Sequence, residues 1–376
     1  MRAFVFTDRA LERQAGRFVW LSINAEKAQN ADFLEKHPIV GYPTLLVIDP
    51  DKEEAVFRWV GGATVSQLQE LLDDGERAAR GAGSGPDAVL AEADRLLGGG
   101  KGPEAAAKYR EALAAAPADW PERDRAVESL LSVLSGTGER AECVALARAE
   151  LPKERNLHFA VVATAGLDCA LGLEDAARAE ALPQFEAAAR DAALGEPRIE
   201  MPADDRSSIL AMLVGALQEA KDTEGAKKLA EEWLAFLEAE AARAPSPEAR
   251  AVFDPHTLSA AIAAGVPTRA IPPLERSAKD FPEDYNPPAR LAVAFREAGR
   301  LDDALFAAER ALSLAYGPRK LQVYSTKADV LERKGDKAAA RSTLEEALRY
   351  AEGLPKAQVS LKRIEAIKKR IEGLTG

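Results

Sequence analysis

The stretch PDAVLAEADRLLGGGKGPEAAAKYREALAAAPAD, residues 86–119, decides the fold of most of this chain. Its composition predicts two alanine-rich helices that meet at a glycine turn around Gly100. Ala93 lies seven residues before that turn and Ala105 lies five residues after it. Small side chains at such positions let two antiparallel helices approach closely, and alanine also has the highest helix propensity. The stretch therefore predicts a tightly packed helical hairpin.

The same pattern recurs along the rest of the chain. Seven turn residues follow one another at intervals of 36, 36, 49, 44, 34 and 36 residues: Gly100, Gly136, Gly172, Lys221, Gly265, Gly299 and Gly335. An alanine lies five residues after each of them: Ala105, Ala141, Ala177, Ala226, Ala270, Ala304 and Ala340. The spacing predicts a series of helical hairpins, with inserted loops at the two longer intervals.

A period near 34 residues, with small residues where the helices cross, resembles the tetratricopeptide repeat (TPR). Six positions of the opening stretch match that family's pattern: Ala93, Gly100, Ala105, Tyr109, Ala112 and Pro117. The second, third and fourth repeats match less well, so generic helical hairpins are an alternative there. The resemblance implies an all-α, TPR-like superhelical solenoid over residues 87–354, followed by a capping helix at 355–376.

Residues 1–80 follow a different pattern. Three apolar runs predict strands at Phe18–Ile23, Thr44–Ile48 and Ala55–Val60, and two further stretches predict helices at Asn30–Lys36 and Ser66–Arg80. Strands interspersed with helices predict an α/β module with a mixed sheet. The glycine-rich residues 81–86 predict a linker between this module and the helical repeats.

The order of these elements, with the turn Gly-Tyr-Pro-Thr at residues 41–44, resembles the thioredoxin family over roughly residues 1–80. The resemblance implies that Pro43 follows a cis peptide bond. It also implies that Tyr42, Pro43 and Thr44 form a substrate-binding loop. The alternative is an ordinary proline at the start of a strand in some other α/β module.

The resemblance does not extend to the reactive residues of that family. Its chemistry needs a Cys-x-x-Cys pair at the start of a helix, and residues 1–80 contain no cysteine. One hypothesis places that pair and a central strand upstream of Met1; the other makes the module a remnant without redox function. The predicted strands at 18–23 and 44–48 are apolar on both faces, as strands covered on two sides are. This pattern favours the first hypothesis and an incomplete thioredoxin-like module.

The composition excludes several classes of function. The chain has 50 Lys and Arg against 61 Asp and Glu, a formal net charge of −11, so nucleic acid is not an expected partner. It has no apolar run long enough for a membrane span. Its two cysteines, Cys143 and Cys169, predict inert buried thiols, and three dispersed histidines predict no metal site. No cofactor is expected.

Together these patterns predict a protein-interaction scaffold with a redox-inactive thioredoxin-like module. Its solenoid groove is expected to bind a protein or peptide partner, and no catalytic residue is predicted in the chain as given. The alternative function is a thiol–disulfide oxidoreductase whose Cys-x-x-Cys lies upstream of Met1. The sequence shows no export signal, which favours the cytoplasm. A periplasmic or exported location belongs to the alternative with a missing N-terminal segment.

Overall fold

The computed structural model describes residues 5–39, 41–80 and 84–374. The described residues form one two-stranded sheet, with strands β1 (Thr44–Asp49) and β2 (Glu54–Val60). In chain order the α-helices of this part are α1 (Ala31–Lys36), α2 (Val65–Arg80), α3 (Pro86–Gly98), α4 (Gly102–Ala115), α5 (Arg123–Thr137), α6 (Arg140–Glu150), α7 (Leu157–Leu171), α8 (Asp175–Leu194), α9 (Ala203–Glu219), α10 (Thr223–Arg243), α11 (Pro247–Ala251), α12 (Asp254–Ala263), α13 (Ile271–Asp280), α14 (Asn286–Glu297), α15 (Leu301–Leu314), α16 (Lys320–Arg333), α17 (Lys337–Glu352) and α18 (Leu361–Gly373). Among these described helices, none combines the length and the apolar character needed to cross a membrane.

Contacts divide the chain into two compact units. The first unit contains the chain up to Phe18 together with Ile39–Asp222, and the second contains Val19–Pro38 together with the chain from Thr223 onward. The domain boundary that the sequence predicts at residues 81–86 stays a prediction, because residues 81–83 lie outside the described part of the chain.

The first unit contains a β-hairpin covered by a helix. Strands β1 and β2 pair antiparallel, with Thr44 opposite Val60. Helix α2 packs on this hairpin through Leu68 and Leu71, which are buried together with Phe57 of β2. These two strands and this helix confirm three of the elements predicted from the sequence, and the short helix predicted at Asn30–Lys36 is present as α1.

The strand predicted at Phe18–Ile23 is wrong. Within the described part of the chain, residues 18–24 form no strand, and the side chains of Val19 and Leu21 are 89% and 74% exposed. An apolar, β-branched run favours a strand only where neighbouring strands and a covering layer are available to it. The larger sheet of an incomplete thioredoxin-like module is therefore not seen. The two-stranded hairpin is only weakly compatible with such a module.

Helical hairpins make up most of both units, as the repeat pattern predicts. Helices α3 and α4, α5 and α6, and α7 and α8 pack as consecutive pairs in the first unit, and α14 and α15, and α16 and α17 do so in the second. Five of the seven predicted alanines are buried: Ala105, Ala226, Ala270, Ala304 and Ala340. The all-α part of the fold is a TPR-like solenoid. Helix α18 follows its last hairpin, and the capping role predicted for residues 355–376 stays a prediction.

The other two alanines, Ala141 and Ala177, are exposed, which corrects the predicted register of the second and third repeats. Helix α5 continues through Gly136, and the residue that turns the chain is Gly138, with a left-handed φ of 83°. A position with a left-handed φ just after a helix favours glycine, because glycine has no Cβ. Five residues after Gly138 lies Cys143, which is fully buried in α6.

The prediction of two free, inert thiols is also wrong. Cys143 of α6 and Cys169 of α7 are joined in a disulfide, with 6.1 Å between their Cα atoms. Both residues are fully buried. The disulfide therefore links the end of one predicted repeat to the start of the next within the first unit.

Gly98 is where the first helix of the solenoid meets the β-hairpin most closely. A Cβ on Gly98 would lie 2.6 Å from the carbonyl oxygen of Ala55 in β2. We expect Gly98→Ala to lower the free energy of unfolding by about 2 kcal/mol, since overpacking against main-chain atoms forces the backbone to shift. The measurement is denaturant unfolding of the full chain.

Gly136→Ala is the matched control for this substitution. Gly136 also lies in a helix, but a Cβ there meets nothing within 4 Å. The control is expected to raise the free energy of unfolding by up to about 1 kcal/mol through better helix propensity. Equal effects of the two substitutions would show that α3 does not pack against β2 as described.

Candidate functional site

The candidate site lies on the connections between successive hairpins of the second unit. One connection joins α13 to α14, the next joins α15 to α16, and the third joins α17 to α18. Five residues of these connections contact one remote segment of the chain, and we call them the edge site: Tyr285, Tyr316, Gly317, Arg319 and Gln358. The segment that they contact is Asn24-Ala25-Glu26, which belongs to the same unit.

The carboxylate of Glu26 is held through both of its oxygens. The hydroxyl of Tyr285 donates a hydrogen bond to Oε2 over 2.6 Å. Nε of Arg319 lies 2.7 Å from Oε1 and forms an ion pair with it. The Glu26 side chain is only 20% exposed, so these two donors replace much of the water that would otherwise solvate its charge.

The main chain of the segment is contacted as well. Nε2 of Gln358 donates to the carbonyl oxygen of Ala25 over 2.9 Å, and the Asn24 side-chain amide donates to the Tyr316 hydroxyl over 3.0 Å. Gly317 has a positive φ of 60°, and a Cβ there would lie 2.2 Å from the carbonyl oxygen of Glu26. Glycine is therefore required at 317 both for its own backbone conformation and for the close approach of the segment.

The electrostatics of the site favour Tyr285 as a permanent donor. Burial raises the pKa of its phenol, and the hydrogen bond to Glu26 and the charge of Glu26 raise this pKa further. Its ring packs edge-on against the ring of Tyr316, with 5.7 Å between the ring centroids. The hydroxyl therefore stays protonated at physiological pH and can donate to an anionic acceptor.

The chemistry that this arrangement supports is binding. The edge site supplies a phenol, a guanidinium and a side-chain amide, which are donors suited to a carboxylate and to a peptide carbonyl. Over residues 5–39, 41–80 and 84–374, no three His, Cys, Asp or Glu side chains come together as potential metal ligands.

Tyr42, Pro43 and Thr44, the site residues predicted from the sequence, belong to the first unit and not to the edge site. The Tyr42–Pro43 peptide bond is cis, the geometry that the thioredoxin resemblance implies. The Tyr42 side chain is 67% exposed, and the Thr44 hydroxyl donates to the carbonyl oxygen of Gly41 over 2.7 Å. The role of these three residues in binding a substrate stays a prediction.

Sequence reasoning did not find the edge site, although the repeat period contains a signal for it. Tyr285 directly precedes α14 and Arg319 directly precedes α16, and they are 34 residues apart (319 − 285). They therefore occupy the same position in consecutive repeats. Aligning the repeats by the residue that precedes each first helix would have shown this phenol and this guanidinium at the same repeat position.

Comparisons with known proteins support the solenoid. No protein-family model matches the chain, and no curated protein matches it. Among solved structures, it is similar to a tetratricopeptide repeat protein from Parabacteroides merdae, with 11% identity, a TM-score of 0.50, and coverage of 77% of this chain and 99% of that one. It also matches the TPR2AB domain of yeast Sti1 in a complex with pHSP90, with 15% identity, a TM-score of 0.29, and coverage of 76% and 98%. The first of these likenesses shows that the fold is that of a TPR-like solenoid.

Proposed function

We propose that this protein is a protein-interaction scaffold whose second unit binds a short segment of a partner protein at the edge site. The observation that carries the proposal is the convergence of three successive repeat connections on one short segment, through both its side chains and its main chain. Solenoids present a periodic surface of this kind, and peptides are recognised through main-chain bonds together with selected side chains.

The proposal includes no redox activity for the chain as given. A thiol–disulfide exchange reaction needs an accessible thiolate. The only two cysteines of the sequence are joined in a buried disulfide between α6 and α7. The thioredoxin-like character of the opening residues stays part of the proposal as a structural resemblance without a reactive dithiol.

We also propose that the protein functions in an oxidising compartment. The Cys143–Cys169 disulfide favours the exported location over the cytoplasm, because protein disulfides form and persist mainly outside the reducing cytosol.

A display experiment tests the scaffold proposal. Random peptides displayed on phage are selected against the immobilised full chain, and each enriched peptide is measured by fluorescence anisotropy. We expect enriched peptides to bind the full chain and to lose at least about tenfold in affinity with Arg319→Ala, since the ion-pair partner of the peptide carboxylate is removed.

Arg310→Ala is the matched control in that selection. Arg310 also lies in the second unit, but its guanidinium bonds the carbonyl oxygen of Pro282 and not the segment at Asn24-Ala25-Glu26. Enriched peptides should bind this control as they bind the unsubstituted chain. Failure to enrich any peptide, or equal losses with both substitutions, would refute binding at the edge site.

A further inference from the structure

A short peptide of the chain itself already occupies the edge site. Glu26 is 259 residues from Tyr285 along the sequence, and Ala25 is 333 residues from Gln358. Residues 24–27 form a turn, in which the N–H of Lys27 donates to the carbonyl oxygen of Asn24 over 3.3 Å and the N–H of Glu26 donates to Oδ1 of Asn24 over 2.8 Å. The contacts are those of a bound peptide turn: one anionic side chain with a hydrogen bond and an ion pair, one polar side chain on a tyrosine, and a carbonyl bonded by an amide.

The pocket around Glu26 selects for a carboxylate. Its two donors, the Tyr285 hydroxyl and Nε of Arg319, each meet a different oxygen of the same group. A neutral amide offers one acceptor oxygen, and its NH₂ group would face one of these donors. A ligand without a negative charge would also leave the guanidinium of Arg319 without its ion-pair partner at this position.

Gly317 leaves room for the main chain of this turn. Because it has no side chain, the carbonyl oxygen of Glu26 lies in the space that a Cβ at position 317 would fill. With the bond from Gln358 to Ala25, two neighbouring peptide groups are in contact with the site. A turn of a partner protein with an asparagine two residues before a glutamate can supply the same groups.

We propose, building on the scaffold function above, that the edge site takes an acidic peptide turn of a partner protein and that Asn24-Ala25-Glu26 is its internal competitor. The occupant is a segment that presents a glutamate carboxylate to Tyr285 and Arg319. In the unliganded chain the site is closed by residues 24–26, and the partner must displace them.

The surroundings of the internal segment permit such displacement. On its N-terminal side, Val19 and Leu21 are largely exposed, while Trp20 and Ile23 are 48% and 40% exposed, so releasing the segment there costs the partial apolar burial of two side chains. On its C-terminal side, α1 packs against the short 3-10 helix Lys356–Gln358. Displacement is therefore a local opening of residues 19–26 while α1 stays in place.

The test measures binding of one dye-labelled peptide to the full chain. The probe is SINAEKAQN, the sequence of residues 22–30, and its affinity is measured by fluorescence anisotropy. The internal competitor is weakened by Glu26→Gln, or by Glu26→Lys, which places a positive charge opposite Arg319. We expect both variants to bind the probe at least about tenfold more tightly than the unsubstituted chain, because a competitor lowers the apparent affinity by the occupied fraction.

Three controls define the result. Lys27→Ala, at an exposed neighbour of Glu26, should bind the probe like the unsubstituted chain. Adding Arg319→Ala to Glu26→Gln should weaken binding at least about tenfold, and so should replacing the glutamate of the probe by glutamine. Thermal unfolding followed by circular dichroism establishes that each variant is folded.

Each outcome has one meaning. Equal probe affinity of the Glu26 variants and the unsubstituted chain would overturn the internal competitor and leave the scaffold function intact. Probe binding that is indifferent to its glutamate would overturn the carboxylate specificity. Absence of binding by every folded variant would overturn the inference itself, while peptides enriched by display that depend on Arg319 would still support the scaffold function.

Discussion

Arg125→Met is expected to lower the free energy of unfolding by about 3–5 kcal/mol, because it leaves buried carboxylates without their counter-charge. Arg125 lies at the start of α5 in the first unit. Its guanidinium bonds both oxygens of Asp94 at 3.1 and 3.2 Å, and its Nε lies 2.7 Å from Asp74. Tyr109 also donates to Asp94, over 2.7 Å. The measurement is urea unfolding of the full chain.

The loss of stability caused by Arg125→Met should grow as the pH rises. Burial raises the pKa of Asp74 to about 6, and the charge of Arg125 opposes this rise. An aspartate in an unfolded chain has a pKa near 3.9, so the contribution of Asp74 is most stabilising below about pH 4 and is lost as the pH rises through about 6. Without Arg125, the folded-state pKa of Asp74 rises further. The deficit of the variant is therefore expected to increase between about pH 5 and about pH 8.

Two controls separate this effect from the general loss of an arginine. Arg148→Met removes an exposed ion pair with Glu180 and should cost less than about 1 kcal/mol. Adding Asp94→Asn to Arg125→Met should recover part of the stability, because the amide keeps an acceptor for Tyr109 and carries no buried charge. If Arg125→Met and Arg148→Met cost the same, the cluster around Asp94 is not a buried ion network.

The elements that the sequence predicted correctly are those fixed by neighbouring residues. The turn glycines Gly100, Gly265, Gly299 and Gly335 each adopt a left-handed φ, which follows from the few residues around them. Strands β1 and β2 are joined by a four-residue connection, so their pairing is also local. In both cases the apolar spacing and the turn residue suffice to determine the structure.

The elements that the sequence did not predict depend on residues far apart in the chain. Phe18–Ile23 has strand propensity, but a strand needs a partner that its own sequence does not specify. Glu26 is one of many carboxylates in an acidic chain, and only its contacts with Tyr285 and Arg319 distinguish it. Long-range pairing of this kind cannot be inferred from periodicity in a single sequence.

The disulfide was missed although both cysteines were predicted to be buried, because they are 26 residues apart and nothing near either one specifies the other as its partner. The second turn was also predicted two residues too early, at Gly136, so the exposed Ala141 was assigned to the buried position. The left-handed residue is Gly138, and this puts Cys143 on the buried position five residues later, facing α7. A glycine inside a helix and a glycine that ends it differ only in the residues that follow, so the sequence left the choice between Gly136 and Gly138 open.

Removing the disulfide should have the second large effect on stability. Cys143 and Cys169 are 26 residues apart, and the chain-entropy relation for a loop of this size gives about 3.5 kcal/mol of stabilisation. We expect the double substitution Cys143→Ala and Cys169→Ala to lower the free energy of unfolding by about that amount. Alanine is chosen because both positions are fully buried and serine would bury an additional hydroxyl.

Reductant provides the matched comparison for the double variant. The unsubstituted chain, unfolded in the presence of a phosphine reductant, should lose a similar amount of stability, whereas the variant has no disulfide to reduce and should not change. Thiol titration of the unsubstituted chain in denaturant without reductant should detect no free thiol. The proposed oxidising compartment depends on the Cys143–Cys169 bond being formed in the cell. Two free thiols in protein isolated from its native compartment would therefore contradict both the disulfide and that location.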